Sequence, residues 1–224
     1  MRTLAIMLAL GTAVTGFAQS ATAQLDGGLN LSRFAGGDAT NAAAARLHLG
    51  ASIPFLRVGP ISIVPEIYYA QRGGDRQLST TVNGVQNPLA SFSMNYIEVP
   101  LLLRVGIPLA GPLSLYVGGG PSYAWQLKCD VSFVGIAGGE EQDCKETQFS
   151  SARTALNNAD KGIVGNAGVN LSVGPLGVIN LDFRVVRGLD RIVEDATGPE
   201  VKTQSMALML GYSFLGGGGR MPVR

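Results

Sequence analysis

The feature that most constrains the fold of this chain is a strict alternation of apolar and polar side chains. In the clearest segment, 178–186, Ile179 and Leu181 point one way while Asn180 and Asp182 point the other. A period of two residues predicts a β-strand with one apolar and one polar face. Eight such segments predict strands over 25–34, 43–54, 60–73, 91–107, 112–128, 161–174, 176–188 and 203–214. Each reaches the roughly 9–11 residues with which a tilted strand crosses a bilayer.

The connections between these segments alternate between short and long. Short ones lie at Phe55–Gly59, Pro108–Gly111 and Gly174–Pro175, and long ones cover 35–42, 74–90, 129–160 and 189–202. In an up-and-down barrel, this order puts every short turn at one rim and every long loop at the other. Outer-membrane barrels have short periplasmic turns and longer external loops. We therefore predict an all-β fold, an eight-stranded antiparallel transmembrane barrel.

Composition agrees with a barrel and argues against other classes. The 224 residues are 46% hydrophobic and only 15% charged, and the net charge is +1. A disordered chain would carry more charge, and a nucleic-acid-binding protein would have an excess of basic residues. The 31 glycines suit an eight-stranded barrel, whose narrow interior is just filled by side chains. Nothing in the sequence points to a cofactor.

The N-terminus has the layout of a secretory signal peptide. Arg2 precedes an apolar stretch, and Ala21–Ala23 reads as an A-x-A cleavage site. We expect a Sec-type signal over residues 1–23, a barrel domain over 24–214 and a flexible extension over 215–224. The expected location is the outer membrane of a Gram-negative envelope.

Several patches of sequence resemble the PorT-like family of bacterial outer-membrane β-barrel proteins, often labelled the porin family. They are Gly27–Ser32, Pro65–Tyr69, Tyr96–Leu103, Gly118–Pro121 and Gly211–Phe214. These patches follow the family order along nearly the whole mature chain. The resemblance implies an eight-stranded barrel without implying one activity. It also implies a terminal aromatic residue for recognition by the assembly machinery. Phe214 suits that role, although ten residues follow it.

Strand parity predicts a charge network inside the barrel. Its members are Arg46, His48, Glu66, Arg72, Glu98, Arg104, Asp182 and Arg184. Four arginines face three carboxylates, and buried Arg–carboxylate pairs would fill the lumen. The alternative is a narrow conducting path whose selectivity these charges would tune.

His48 is the only histidine of the chain, and it raises the hypothesis of a Ser–His esterase. Ser52 lies four residues further along the strand, beyond hydrogen-bond reach. His48 also lies on the inferred polar face, away from a lipid substrate. We therefore expect no enzymatic activity and no catalytic residue.

The two cysteines, Cys129 and Cys144, fall in the longest predicted connection. An oxidising compartment permits a disulfide between them, which would close a loop of about 15 residues and contribute roughly 3 kcal/mol. A metal site is the alternative, but two cysteines without a nearby histidine are too few ligands.

Three aromatic residues, Trp125, Tyr212 and Phe214, are candidates for the interfacial girdle of a membrane barrel. Tyr96 and Tyr116 have the inward parity and are expected to pack inside.

The sequence thus predicts a structural, adhesive or ligand-binding outer-membrane protein that acts through loops 74–90 and 129–160. Its expected partners are the lipid bilayer, the barrel-assembly machinery and an unidentified external ligand, with no nucleic acid. A small transport pore is one alternative. A soluble, lipocalin-like periplasmic barrel is another, although its polarity would be reversed.

Overall fold

The computed structural model describes residues 23–35, 44–77, 81–82, 85–86, 89–134, 142–144, 159–190 and 202–214. Eight long strands build it: β1 (Gln24–Ala35), β2 (Ala44–Ser52), β3 (Ile61–Gln77), β4 (Leu89–Pro108), β5 (Leu113–Val134), β6 (Ala159–Ser172), β7 (Val178–Gly188) and β8 (Lys202–Ser213). No helix in these ranges is long and apolar enough to span a membrane. Apart from Ala23, the predicted signal peptide and the extension over 215–224 lie outside the described residues.

The sheet closes on itself. Each strand pairs antiparallel with its neighbours in the chain, and β1 pairs with β8, for example Leu25 with Tyr212. The predicted eight-stranded antiparallel up-and-down barrel is therefore confirmed. Closure pairs the first strand with the last, so the sheet has no free end strand of the kind that a bilayer would not tolerate.

The two faces of each strand have opposite chemistry. In β1, Leu29 and Leu31 are 61% and 51% exposed on the outside, whereas Asn30 and Ser32 are at most 2% exposed on the inside. The same alternation follows β6, β7 and β8. An apolar outer surface and a polar interior are the arrangement of a barrel in lipid.

The three short turns all lie at one rim. The turn before β5 uses Gly111 at φ 71°, and the turn before β7 is a single 3₁₀ turn that opens on Gly174 at φ 65°. Glycine adopts such positive angles without steric cost. The connection before β3 holds more structure than predicted, because Leu56–Val58 folds back on Ile61–Ile63 as a short strand. The two ends of the described barrel meet at the same rim, where the Phe214 amide donates to the Ala23 carbonyl.

At the other rim, three strands continue beyond the barrel. We define the external extension as Gly73–Gln77, Leu89–Asn95, Lys128–Val134 and Gln142–Cys144. Its strands are continuous with β3, β4 and β5 of the wall, which have 17, 20 and 22 residues. The predicted end of β5 at residue 128 is therefore wrong, and Cys129 lies in a strand instead of a loop.

A β-bulge explains that error. The register between β4 and β5 shifts at Asn95 and Tyr96, where Tyr96 pairs with Gln126 but Asn95 pairs with Lys128. The extra residue interrupts the alternation and swaps the faces of β5. Beyond the bulge, Cys129, Val131 and Phe133 face the buried side. A prediction based on unbroken alternation therefore ends the strand at this point.

Candidate functional site: the lumen and its external mouth

The structure places all eight predicted lumen residues on the inward face of the wall. Seven are buried: His48, Glu66, Arg72, Glu98, Arg104, Asp182 and Arg184. Arg46 is half-buried. Six of the eight take part in ion pairs, and these form two clusters at different heights in the lumen.

The first cluster is centred on Glu66 of β3, and we call it the Glu66 cluster. Arg104 Nη2 of β4 lies 2.5 Å from Glu66 Oε1, and Arg184 Nη2 of β7 lies 2.7 Å from Glu66 Oε2. Arg184 Nε is also 3.6 Å from Asp182 Oδ1. One carboxylate thus holds two arginines, and the Arg184 pair crosses the lumen because β3 and β7 have three strands between them on either side.

Neutral polar groups surround this cluster. Asp182 accepts hydrogen bonds from the Tyr116 hydroxyl and from Asn166 Nδ2, the latter at 2.8 Å. Asn180 Nδ2 donates to the Tyr116 oxygen at 2.9 Å. Tyr68 donates its hydroxyl to Asp26 Oδ2 at 2.9 Å. These bonds connect β1, β3, β5, β6 and β7, so the cluster fastens both sides of the barrel.

The second cluster is centred on Arg72 of β3 and lies nearer the long connections. Arg72 pairs with Glu98 on β4, and its Nη1 is 3.4 Å from Asp160 Oδ2 on β6. Thr203 on β8 donates to the same Asp160 oxygen at 2.6 Å. This Arg72 cluster therefore joins four strands.

Each of the three paired arginines also stacks on a tyrosine. The guanidinium carbons of Arg72, Arg104 and Arg184 lie 5.3, 4.8 and 4.4 Å from the ring centroids of Tyr96, Tyr116 and Tyr68. Cation–π contact at these distances stabilises a desolvated guanidinium. Tyr96 and Tyr116, which were predicted to pack inside, thus contact arginine side chains there.

Glycines on the facing strands give these large side chains room. A Cβ built on Gly50 would overlap the Tyr68 ring, and one on Gly168 would overlap the Tyr116 ring. A Cβ on Gly118 would lie 2.7 Å from Arg104 Cγ. Each of these inward glycines therefore leaves space for one particular neighbouring side chain.

Arg46 and His48 take no part in the ion pairs of either cluster. Arg46 donates to Ser93 Oγ at 2.9 Å and to the Phe92 carbonyl at 3.1 Å. The His48 ring lies 4.8 Å from the Tyr68 ring, and neither of its nitrogens has a hydrogen-bond partner in the described part of the chain. No group of three potential metal ligands occurs among the described residues.

Sequence reasoning missed two carboxylates of the lumen, Asp26 and Asp160. Both are buried and bonded within it. With them, the described part of the lumen holds four arginines and five carboxylates, two more carboxylates than the sequence predicted. Asp26 lies an even number of residues from Asn30 on β1, so strand alternation could have revealed its inward position. Asp160 falls in a predicted loop, because β6 begins earlier than predicted.

The interior also contains an apolar cluster, formed by Val64, Leu102, Val164 and Val186. These residues share the inward face with the arginines and are at most 3% exposed. Charged clusters and a patch of apolar packing therefore lie side by side in the lumen.

On the long-connection side, β3 separates from β2 and contacts β1. The β2–β3 ladder ends at His48 and Ala70, although both strands continue. Past this point, Asn30 Nδ2 of β1 donates to the Gln71 carbonyl at 2.9 Å, and Ser32 Oγ lies 2.8 Å from both the amide nitrogen and the carbonyl oxygen of Gly73. Inward side chains of β1 thus hold the backbone of β3 on the long-connection side of the barrel.

Above the mouth, a disulfide joins Cys129 to Cys144, and their Cα atoms are 5.4 Å apart. The short strand Gln142–Asp143 pairs with Asp130 and Val131 beside it. The two cysteines belong to a buried cluster with Ala90, Met94, Tyr96, Ala124, Val131 and Phe133. The external extension therefore shares a small apolar core with the adjoining end of the wall.

The predicted girdle residues lie on the outer surface or at its edge. Trp125 and Phe214 are about half exposed, and Tyr212 is partly exposed. Trp125 contacts Tyr123 near the long-connection rim, and Tyr212 contacts Phe214 at the turn rim, with ring centroids 4.5 and 4.9 Å apart. Their depth in a bilayer stays a prediction.

This closed wall, with its apolar exterior and paired charges inside, defines a class of membrane barrel. The family model for the outer membrane protein beta-barrel domain matches residues 4–194, and the chain belongs to this family. The protein is thus an outer-membrane β-barrel protein, as predicted, while the PorT-like subgroup stays a prediction. The soluble, lipocalin-like alternative is wrong.

Solved outer-membrane barrels resemble the chain. Neisserial surface protein A is 12% identical, with a TM-score of 0.46 over 87% of this chain and 97% of that one. Ail of Yersinia pestis is 16% identical, with a TM-score of 0.44 over 88% of this chain and 99% of that one. OprG of Pseudomonas aeruginosa is 13% identical, with a TM-score of 0.47 over 88% of this chain and 97% of that one. No curated protein sequence matches the chain.

Proposed function

We propose that the barrel is closed to solutes and that the protein acts through its external side, in a structural, adhesive or ligand-binding role. The external connections 74–90 and 129–160 would then carry contacts with a ligand. In this proposal the wall anchors the chain in the bilayer, and the assembly machinery is its partner during biogenesis.

The observation that carries the proposal is the ion pair between Arg184 and Glu66. It joins strands on opposite sides of the barrel, and both side chains are at most 3% exposed. A conducting path would need water along this section, yet the lumen is occupied there by the pair and the Tyr68 ring. Two buried charges held this way are costly to separate.

The external extension supports the second half of the proposal. Its disulfide and apolar cluster stiffen a segment that lies beyond the membrane-spanning wall. A rigid, disulfide-bonded surface loses less entropy when a partner binds it.

Catalysis has less support. A serine hydrolase needs a hydroxyl within hydrogen-bond reach of its histidine, and no such partner of His48 occurs among the described residues. The side chains of His48 and Ser52 are buried inside the barrel, away from lipid.

Solute flux into liposomes tests the proposal. Purified protein is reconstituted into liposomes loaded with dextran, which are then diluted into an isosmotic solution of a small sugar. We expect swelling no faster than that of protein-free liposomes. Swelling at the rate of liposomes that hold an equal amount of a general porin would favour the transport-pore alternative.

A further inference from the structure

The outward faces of three strands change from apolar to basic at the external rim. On β1, Leu31 is followed at the next outward position by Arg33, and on β7 Val185 is followed by Arg187. On β6, whose direction is opposite, Lys161 precedes Ile163. All three basic side chains are exposed. We call Arg33, Lys161 and Arg187 the basic rim.

Cross-strand register brings the basic rim together. Arg187 pairs with Gln204 on β8, and Gln204 pairs with Arg33 on β1. Because neighbouring strands are about 4.8 Å apart, two strand spacings separate Arg187 from Arg33, about 10 Å. Ile163 pairs with Arg187, so Lys161 lies on the diagonal from it, at about 7–8 Å. The three charges form one arc.

Within the described residues, no carboxylate comes within ion-pair distance of the three basic side chains. The Arg33 Nε and Nη2 atoms lie 3.3 and 3.1 Å from Gln204 Oε1, a neutral group that orients the guanidinium without cancelling its charge. Asp190 lies at the end of the arc, where its carboxylate accepts the backbone N–H of Lys161 at 3.0 Å. The arc thus keeps a positive charge directed outward.

The arc lies at the level of the predicted aromatic girdle. Lys161 pairs directly with Tyr123, whose ring contacts that of Trp125. Aromatic residues of this kind mark the headgroup level of membrane barrels. Below the arc, the outward face is apolar, with Leu29, Leu208, Leu181 and Val169 on β1, β8, β7 and β6.

We propose that the basic rim binds the phosphate groups of a phosphorylated glycolipid in the external leaflet, whose acyl chains would lie on the apolar face beneath it. The chemistry is that of cations at the headgroup level, where each Lys or Arg adds to the attraction for anionic lipid. Arginine also donates two parallel hydrogen bonds to a phosphate. Charge complementarity and continuity with the lipid-facing surface favour a lipid over a soluble anion.

The test compares lipid binding by the wild type and by two variants that are changed at exposed positions. The variant R33Q/K161Q/R187Q removes the arc, whereas R57Q removes an exposed cation at the turn rim. Each protein is folded in phosphatidylcholine nanodiscs, and its folded state is checked by heat-modifiable gel mobility. Native mass spectrometry then measures the association constants of bisphosphorylated lipid A and of its fully dephosphorylated form.

We expect the wild type and R57Q to prefer the phosphorylated lipid equally. The triple variant should lose about fivefold for each charge removed, on the order of 100-fold in all. If the triple variant does not fold, the three single variants should each show the fivefold loss. The proposal would be overturned if the wild type and the triple variant bound the phosphorylated lipid equally, or if R57Q lost as much affinity as the triple variant. Full competition by inorganic phosphate would overturn it too.

Discussion

Arg184 and Glu66 lie on opposite strands of the barrel, and their charged atoms are 2.7 Å apart across the lumen. The same glutamate holds Arg104 on the neighbouring strand at 2.5 Å. Glu66 is therefore the one carboxylate to which two buried arginines in this cluster both bind. Its loss would leave two guanidinium groups short of a partner at once.

We expect Glu66→Ala to lower the free energy of unfolding by about 3–5 kcal/mol, since it leaves buried charge uncompensated. Urea titration of the protein in lipid vesicles, followed by gel mobility without heating, measures this change. Arg57→Gln is the matched control on the exposed turn and should stay within about 0.5 kcal/mol of the wild type. A Glu66→Ala variant as stable as the control would show that the cluster contributes nothing.

Substitutions at two glycines of β6 distinguish the effect of interior packing on stability from the effect of losing a glycine. A Cβ on Gly168 would overlap the Tyr116 ring and lie 2.6 Å from the Leu181 carbonyl, whereas one on Gly165 would meet nothing within 4 Å. We expect Gly168→Ala to destabilise the barrel by about 1–3 kcal/mol. Gly165→Ala should leave stability unchanged or raise it by up to about 1 kcal/mol. Equal effects in the same urea titration would contradict the packing described for the lumen.

The disulfide between Cys129 and Cys144 closes a separation of 15 residues, which contributes about 3 kcal/mol in the chain-entropy model. We expect C129S/C144S to keep the heat-modifiable mobility of a folded barrel. Its external extension should open more often, so protease added to intact cells should cut within 129–160 faster than in the wild type.

The same digestion has an internal control. The turn at 55–59 lies at the opposite rim and should stay uncut until the outer membrane is permeabilised. Cleavage of this turn on intact cells would reverse the orientation assigned to the barrel. Unchanged digestion of 129–160 in the cysteine variant would show that the bond does not stiffen the extension.

Much of the fold could be predicted because lipid and lumen impose opposite requirements on adjacent residues. Leu29 and Asn30 are neighbours in the chain, yet one is 61% exposed on the outside and the other fully buried inside. Such contrast is local, so alternation alone reveals the strands and their faces. The continuation of β5 could not be found this way, because the bulge at Asn95 and Tyr96 swaps its faces.

The partners within the lumen could be predicted only in part. Parity places Arg184 and Glu66 inside, but the contact between them joins β7 to β3. Which inward residues meet across a barrel depends on the stagger of all eight strands. No short-range pattern in the sequence reports that stagger. Within the described residues, six of the predicted residues form ion pairs, while Arg46 and His48 form none.

The central claim is that ion pairs across the lumen close the barrel, and single-channel recording in planar bilayers tests it most directly. We expect the wild-type protein to give no steady ohmic steps. The variant E66A/R184A, which removes the pair between β3 and β7, should give steps that the wild type lacks. Steady ohmic steps from the folded wild-type protein would contradict the claim.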